Sequence, residues 1–148
     1  MNAQENILEQ LRAGITTESP EATRRLAANF AATLPPDTTL ALHGDMGVGK
    51  TTFVQGLAEG LGVHEHVTSP TFSIYTVYRG QGRMLVHVDA YRLESENQIE
   101  GLLLEEFLVS PWVLAIEWPE KIAGWIPANA LHLALSIVDD DKHHLRLQ

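Results

Sequence analysis

The spacing of apolar residues along the chain predicts a first clear helix after residue 19. Ala22, Leu26 and Phe30 follow one another at four-residue intervals, which places them on one face of an α-helix. Ser19 is a favourable N-cap, and Pro20 suits the first helical position because its missing amide hydrogen is not needed there. The pattern therefore predicts a helix that begins at Pro20 and ends before the two prolines at residues 35 and 36.

Further apolar runs predict strands that alternate with helices. Residues 39–43 form an apolar run, and a helix-compatible segment follows at residues 51–61, which Gly62 ends. Residues 74–78 and 83–89 flank a Gly-Gln-Gly turn and so predict a β-hairpin. The order of strand, loop and helix is that of an α/β protein.

The second half of the chain predicts one more helix and the rest of the sheet. Ser95 with Gln98 three residues later forms a capping box, the start of a helix. The apolar positions of this helix are Ile99, Leu102, Leu103 and Phe107. Residues 113–116 are continuously apolar, which is typical of a strand buried on both faces. Residues 131–136 and 144–147 predict a closing pair of strands at one edge of the sheet.

Between the first predicted strand and its helix lies a phosphate-binding motif. Residues 44–51 read Gly-Asp-Met-Gly-Val-Gly-Lys-Thr, a complete G-x-x-x-x-G-K-[ST] sequence. Its glycines allow positive φ angles, so that several N–H groups can point into one concavity at the start of a helix. We predict that Lys50, a catalytic residue facing solvent, reaches the β- and γ-phosphates, and that Thr51 is a ligand of Mg²⁺. The predicted nucleotide contacts of this segment are Asp45, Met46, Gly47, Val48, Gly49, Lys50, Thr51 and Thr52.

The motif and the order of elements together predict a P-loop NTPase-like α/β fold. The chain has 148 residues, of which 45% are apolar, and this predicts a single domain over residues 1–148. It has no cysteine, which excludes disulfides and thiolate metal sites. We find neither a signal peptide nor an apolar run of membrane-spanning length, and we therefore expect a soluble, cytoplasmic protein without a membrane partner.

Two of the apolar runs end in a carboxylate, the first in Asp89 and the second in Glu117. In an open α/β sheet, ligands collect at the carboxyl ends of the strands, so both side chains are expected level with the phosphate-binding motif. One would hold Mg²⁺ through its water shell and the other would position the attacking water. The residues alone leave open which does which, and either one could instead cap the segment that follows.

Other polar and aromatic residues have alternative interpretations. Residues 68–71 form a proline-stiffened segment that either contacts the γ-phosphate or the metal, with Thr71 as a predicted nucleotide contact, or makes a surface turn. Arg92 either stabilises phosphoryl charge or pairs with a nearby glutamate. Trp118 and Trp125 are interpreted as core or interface residues. Solvated surface positions are predicted for His64, His66, His143 and His144.

The charge of the chain bears on its partners. The net charge is −9, with 10 lysines and arginines scattered along the sequence, whereas a direct nucleic-acid binder normally has a basic face. We therefore expect no independent binding of RNA. The chain also lacks the Asn-Lys-x-Asp element that selects guanine, so adenine nucleotide is expected. The sparse arginines weaken the alternative of a small-molecule kinase. A nucleotide-sensing module remains a second alternative.

Four segments in this order resemble the TsaE (YjeE) family of bacterial ATPases in tRNA threonylcarbamoyladenosine biosynthesis. They are the phosphate-binding motif, residues 67–72 (Val-Thr-Ser-Pro-Thr-Phe), residues 87–93 (His-Val-Asp-Ala-Tyr-Arg-Leu) and residues 116–120 (Ile-Glu-Trp-Pro-Glu). The resemblance runs from the helix near Thr23 to about Pro127, and the chain matches poorly beyond that residue.

The resemblance implies a mixed, mainly parallel sheet flanked by helices. It also implies ATP and Mg²⁺ as cofactors, with weak hydrolysis by the subunit alone, which is expected to be a monomer or weak oligomer. It implies assembly with TsaB and TsaD, where hydrolysis supports threonylcarbamoyl transfer by TsaD, so that tRNA is only an indirect partner. By the family pattern Thr51 and Glu117 hold Mg²⁺, and Asp89 is the catalytic, water-orienting residue at the γ-phosphate. The segment from Pro20 and the tail near Asp141 would flank the nucleotide.

Overall fold

A seven-stranded sheet with helices on both faces forms the part of the chain that the computed structural model describes, residues 3–70, 73–139 and 141–148. The strands are β1 Ile15–Thr17, β2 Thr38–His43, β3 Tyr75–Arg79, β4 Met84–Asp89, β5 Trp112–Glu117, β6 Leu131–Asp139 and β7 Lys142–Leu147. The helices are α1 Ala3–Ala13, α2 Pro20–Ala31, α3 Lys50–Gly60 and α4 Glu96–Glu100, with 3₁₀ segments at Leu104–Phe107 and Pro119–Trp125.

The strand order is β1-β7-β6-β2-β5-β4-β3. The central strand β2 is parallel to both of its neighbours, and β5 is parallel to β4. The pairs β3–β4, β6–β7 and β1–β7 are antiparallel, so only β3 and β7 run against the common direction in the described part of the sheet. This confirms the prediction of a mixed, mainly parallel sheet flanked by helices.

Apolar residues pack into two core clusters, one on each face of the sheet, because successive residues of a buried strand point to opposite faces. Leu85 of β4 joins the cluster under α1, α2 and α3, whereas its neighbour Val86 joins the cluster under α4 and the 3₁₀ segments. The predicted start of α2 is confirmed, since the Ser19 side chain accepts a hydrogen bond from the amide of Ala22. Phe30 is fully buried on the inner face of α2.

Three elements differ from the prediction. The helix after Ser95 ends at Glu100, and Leu103 takes a left-handed conformation (φ 53°), so Leu103 and Phe107 are exposed instead of lining a helix face. The strands β6 and β7 do pair, but β1 pairs with β7 and forms the edge. Neither α1 nor β1 was predicted. The strand β1 has only three residues, too few positions for a pattern.

The longest described helices, α1, α2 and α3, have at most 12 residues. Within the described ranges, none is long and apolar enough to cross a membrane.

Candidate functional site

The loop of residues 44–51 connects the central strand β2 to α3 and has the backbone conformation that its sequence predicts. Gly44, Gly47 and Gly49 have φ angles of 147°, 85° and 98°. At Gly44 a Cβ atom would lie 2.5 Å from the carbonyl oxygen of Leu135, so only glycine fits between the loop and β6. Helix α3 begins directly afterwards, and its first amides are therefore next to the loop.

The Val48 side chain points away from the opening of the loop. It is buried in the core cluster beneath α3. The carbonyl oxygen of Val48 lies 2.8 Å from Nδ1 of His143 on β7. The half-buried His143 therefore supports the phosphate-binding motif, and its interpretation as a solvated surface residue was wrong. His64 and His66 are exposed as predicted.

The two predicted carboxylates lie side by side at the carboxyl edge of the sheet. Asp89 ends β4 and Glu117 ends β5, and they are direct partners in the parallel register of these strands. The Thr51 hydroxyl, in the first turn of α3, donates a 3.2 Å hydrogen bond to Oε2 of Glu117. The expectation that both carboxylates are level with the phosphate-binding motif is confirmed, and Glu117 is the one that meets the hydroxyl of Thr51.

Asp89 is held by hydrogen bonds to both of its carboxylate oxygens. Oδ2 accepts from the Ser69 hydroxyl at 2.9 Å, and Oδ1 accepts from the backbone amide of Tyr91 at 3.0 Å. The carbonyl of Ile74, a residue with the unusual φ of 69°, accepts from the Asp89 amide at 2.7 Å. Ser69 of the proline-stiffened segment therefore contacts one of the two carboxylates, while Thr71 lies outside the described residues.

Lys50 is buried rather than solvent-facing, with 5% of its surface exposed, so that expectation was wrong. Its Nζ donates a 2.6 Å hydrogen bond to the carbonyl oxygen of Gly44 and lies 3.6 Å from the ring centroid of Trp118. Burial lowers the pKa of Lys50, while the carboxylates of Glu117 and nearby acids act in the opposite direction. The ammonium group of Lys50 thus lies beside the loop, against the face of the Trp118 ring.

Trp118 packs against the second core cluster, as expected, and it also faces the site. Its ring contacts Lys50 on one side and Tyr91 at a centroid distance of 5.0 Å. The backbone of Trp118 is left-handed (φ 60°), an uncommon conformation for a bulky residue. This conformation directs the indole toward the loop, a position that the sequence pattern did not indicate. Trp125 packs against the second core cluster as predicted.

His87 belongs to the site, although the sequence pattern did not indicate it. Its ring is fully buried on β4, and Nε2 lies 2.6 Å from Oε2 of Glu117. One signal was available: residues 87 and 89 are two apart on a strand, so His87 points to the same face as Asp89.

The phosphate-binding motif, the two carboxylates and Trp118 surround a cavity of about 530 Å³ at the carboxyl edge of the sheet. It is lined by Met46, Gly47, Gly49, Lys50, Thr51, Thr52, Ser69, Ile74, Asp89, Tyr91, Arg92, Glu117 and Trp118. Most of the predicted site residues are therefore brought together. Asp45, Val48, Pro20 and Asp141 do not line the cavity, and a nucleotide contact by any of them stays a prediction.

Comparison with known proteins identifies the family. A family model described as threonylcarbamoyl adenosine biosynthesis protein TsaE matches residues 17–145. The chain belongs to the TsaE family. A Bacillus subtilis relative, named tRNA threonylcarbamoyladenosine biosynthesis protein TsaE, is 39% identical over 129 residues, which cover 87% of this chain and 80% of the relative. A Streptomyces coelicolor relative of the same name is 46% identical over 115 residues, which cover 76% and 77% of the two chains.

A solved structure shows the same fold. The crystal structure of YdiB from Bacillus subtilis superimposes with a TM-score of 0.71 at 33% identity, covering 89% of this chain and 81% of that one. The TsaE family match begins at β1 and reaches β7, so the expectation of a poor match beyond Pro127 was wrong. The C-terminal hairpin is part of the family domain.

Two histidines on neighbouring strands, His43 at the end of β2 and His132 on β6, lie beside each other where this TsaE chain enters the phosphate-binding motif. Nε2 of His43 is 2.8 Å from Nδ1 of His132. Burial, followed by the charge of His132, lowers the pKa of His43. No group of three or more histidines or carboxylates that could hold a metal ion occurs among the described residues.

Proposed function

We propose that the protein is the ATPase subunit of the bacterial tRNA threonylcarbamoyladenosine machinery. In this role it binds ATP with Mg²⁺ and hydrolyses it to ADP and phosphate, slowly when alone. The observation that carries the proposal is the placement of Asp89 and Glu117 as register partners beside the phosphate-binding motif, with Glu117 in contact with Thr51. A phosphate-binding loop next to two positioned carboxylates has the parts that phosphoryl transfer to water requires.

The residues present fit a triphosphate. The loop has the open, positive-φ glycine backbone that such a ligand needs, and Lys50 lines the same cavity. Lys50 would leave the Gly44 carbonyl and neutralise the β- and γ-phosphates, which is easier because its present site is desolvated. Adenine is proposed as the base because the guanine-selecting element is missing from the sequence.

The donor set also fits Mg²⁺. Thr51 and Glu117 offer a hydroxyl and a carboxylate, the hard oxygen ligands that this ion prefers. Two carboxylates beside a phosphate site would repel the phosphates, and a divalent cation held by Thr51 and Glu117 would offset this repulsion. When bound, the metal supplies charge neutralisation at the phosphoryl oxygens. Asp89 is then the residue that orients the attacking water, because Ser69 and the Tyr91 amide fix the direction of its carboxylate.

The biological context of the proposal comes from the family. Relatives are named for tRNA threonylcarbamoyladenosine biosynthesis, and we place this chain in the same cytoplasmic process. We propose TsaB and TsaD as its partners, with TsaD as the enzyme that transfers the threonylcarbamoyl group. Hydrolysis by this chain would support repeated rounds of transfer, and tRNA would be an indirect partner.

The test is ATP hydrolysis measured with and without purified TsaB and TsaD. The wild-type chain should release ADP and inorganic phosphate slowly alone and faster with the partners. Asp89→Asn should keep ATP binding and lose hydrolysis by about 100-fold or more, since it removes an aligned base. Glu117→Gln should weaken the Mg²⁺-dependent part of ATP binding and reduce hydrolysis as well.

Glu106→Gln, an exposed acid outside the cavity, is the matched control and should behave as the wild type. Two results would contradict the proposal. One is normal hydrolysis by both site variants. The other is transfer of the γ-phosphate to a small molecule instead of water.

A further inference from the structure

His87 lies inside the molecule, next to the proposed metal ligand. It sits on β4 between Val86 and Val88, and its side chain is fully buried on the face of the sheet that α3 covers. Its Nε2 lies 2.6 Å from Oε2 of Glu117, and only 4% of the surface of Glu117 is exposed. The carboxylate oxygen can only accept, so the Nε2–H of His87 is the donor.

The other ring nitrogen of His87 is not satisfied. Nδ1 is buried and has no hydrogen-bond partner among the described residues. Burying a polar atom without a partner costs free energy, because its hydrogen bond to water is not replaced. An apolar side chain of similar size would avoid this cost, and the strand neighbours on either side are valines. Packing alone therefore does not account for a histidine here, whereas its Nε2–H donor does.

The contacts of Glu117 fall on one of its two oxygens. Oε2 accepts one hydrogen bond from the hydroxyl of Thr51 on α3 and another from Nε2 of His87 on β4. The described side-chain hydrogen bonds leave Oε1 without a donor. Two donors on one oxygen fix the plane of the carboxylate, and the second oxygen stays available to a cation or to its water shell.

We propose that His87 is a positioning residue that holds Glu117 in the orientation required for Mg²⁺. This inference rests on the proposed function, in which Thr51 and Glu117 bind the metal. His87 does not touch the nucleotide, since it does not line the cavity. Its effect passes through Glu117, in the way that groups bonded to metal ligands generally set the orientation of those ligands.

The test compares three substitutions of His87 that differ in their donor. Leucine fills a similar volume without a donor. Glutamine carries its amide nitrogen about as far from the backbone as Nε2, and asparagine carries it only about as far as Nδ1. Circular dichroism and thermal unfolding identify the folded variants. Binding of the slowly hydrolysed analogue ATPγS is then titrated by calorimetry, once in EDTA and once in saturating Mg²⁺.

We expect all folded variants to bind ATPγS in EDTA within about two-fold of the wild type, because His87 is outside the cavity. In Mg²⁺, His87→Leu and His87→Asn should lose about 10- to 100-fold of the affinity gain that the metal gives. His87→Gln should keep most of it. In a Glu117→Gln background, His87→Leu should cause no further loss, since its effect acts through the carboxylate.

The outcomes separate this inference from the function on which it rests. A folded His87→Leu variant with the wild-type Mg²⁺ dependence would overturn the inference and leave the proposed function intact. So would a folded His87→Gln variant as impaired as His87→Leu, because the donor would then not matter. A wild-type chain that binds ATPγS equally well with and without Mg²⁺ would overturn the metal assignment and this inference together.

Discussion

Lys50 is held by contacts within the protein. Its ammonium group bonds the carbonyl oxygen of Gly44 and lies on the ring of Trp118, within a desolvated position. These contacts keep the charge at the loop and prevent the side chain from extending into solvent. A triphosphate would have to replace them, so part of the binding energy is used to move this one residue.

Replacing Lys50 by methionine should separate binding from stability. Methionine keeps an apolar stem of similar length and removes the charge. We expect nucleotide affinity to fall by about 10- to 100-fold, the value of a charged hydrogen bond to phosphate. The free energy of unfolding should change by less than about 1 kcal/mol, because loss of the bond to Gly44 is offset by removal of a buried charge. Calorimetric titration and urea unfolding measure the two quantities, and an unchanged affinity would refute the assignment of Lys50.

The lowered pKa of His43 predicts how the stability of the protein depends on pH. Burial and the neighbouring His132, with a smaller contribution from Lys50, lower its pKa below 6.5, while Glu120 acts in the opposite direction. Between the pKa of His43 in the folded chain and 6.5, this histidine is therefore protonated more often in the unfolded chain than in the folded chain. The free energy of unfolding consequently rises with pH across this window, and this stability is lost as the pH falls through it.

His43→Gln should consequently lose less stability than the wild type between about pH 7.5 and about pH 5.5. The exposed His64→Gln is the matched control and should follow the wild type. Urea unfolding at the two pH values measures the difference. An equal loss of stability in all three proteins would show that His43 is not the source of the pH dependence.

Residues that belong to a contiguous motif were predictable from the sequence, whereas residues that act through the fold were not. The motif named Lys50 and Thr51 directly, and the ends of two apolar runs named Asp89 and Glu117. The contact of His87 with Glu117 depends on the pairing of β4 with β5, which no spacing in the sequence contains.

At the scale of elements, α2 and α3 approach each other unusually closely. A Cβ atom on Gly56 would lie 2.3 Å from the carbonyl oxygen of Arg24 and 2.6 Å from Cβ of Ala27. Both neighbours belong to a helix that cannot yield as a flexible side chain does. Glycine at this position lets the helix behind the phosphate-binding motif pack directly on α2, despite its poor helix propensity.

Gly56→Ala should therefore destabilise the protein by about 1–3 kcal/mol, although alanine favours helices by about 1 kcal/mol. Gly101→Ala is the matched control, because its Cβ would lie 3.5 Å from the carbonyl oxygen of Asn97, at ordinary contact distance. We expect the control to change stability by less than about 1 kcal/mol. Urea unfolding of the two variants tests this, and equal effects would contradict the importance of the close approach.

Elements with strong local signals were predicted well, and short or interrupted ones were not. The cap and proline of α2 and the turn between β3 and β4 are local features, and both are confirmed. The helix after Ser95 was predicted too long, because the apolar spacing continues past Glu100 while the backbone turns at Leu103. The edge position of β1 depends on the pairing with β7, which lies at the other end of the sequence.

At the scale of the whole molecule, the charge argues against direct contact with RNA. The chain has 19 acidic residues against 10 lysines and arginines. We expect no saturable binding of tRNA to this chain alone below about 10 µM at physiological salt, where non-specific binding by basic proteins begins. Fluorescence anisotropy with labelled tRNA measures this. Nanomolar binding that weakens steeply with salt would show that the chain contacts tRNA itself.

The position of β2 in the middle of the sheet has a consequence for biosynthesis. The ribosome completes β2 early, yet its two neighbours are β5 and β6, which are translated much later. Until both have emerged, the phosphate-binding motif has no β6 beside Gly44 and no Glu117 opposite Thr51. A nascent chain should therefore be unable to capture nucleotide, and only finished molecules would compete for the cellular pool of ATP.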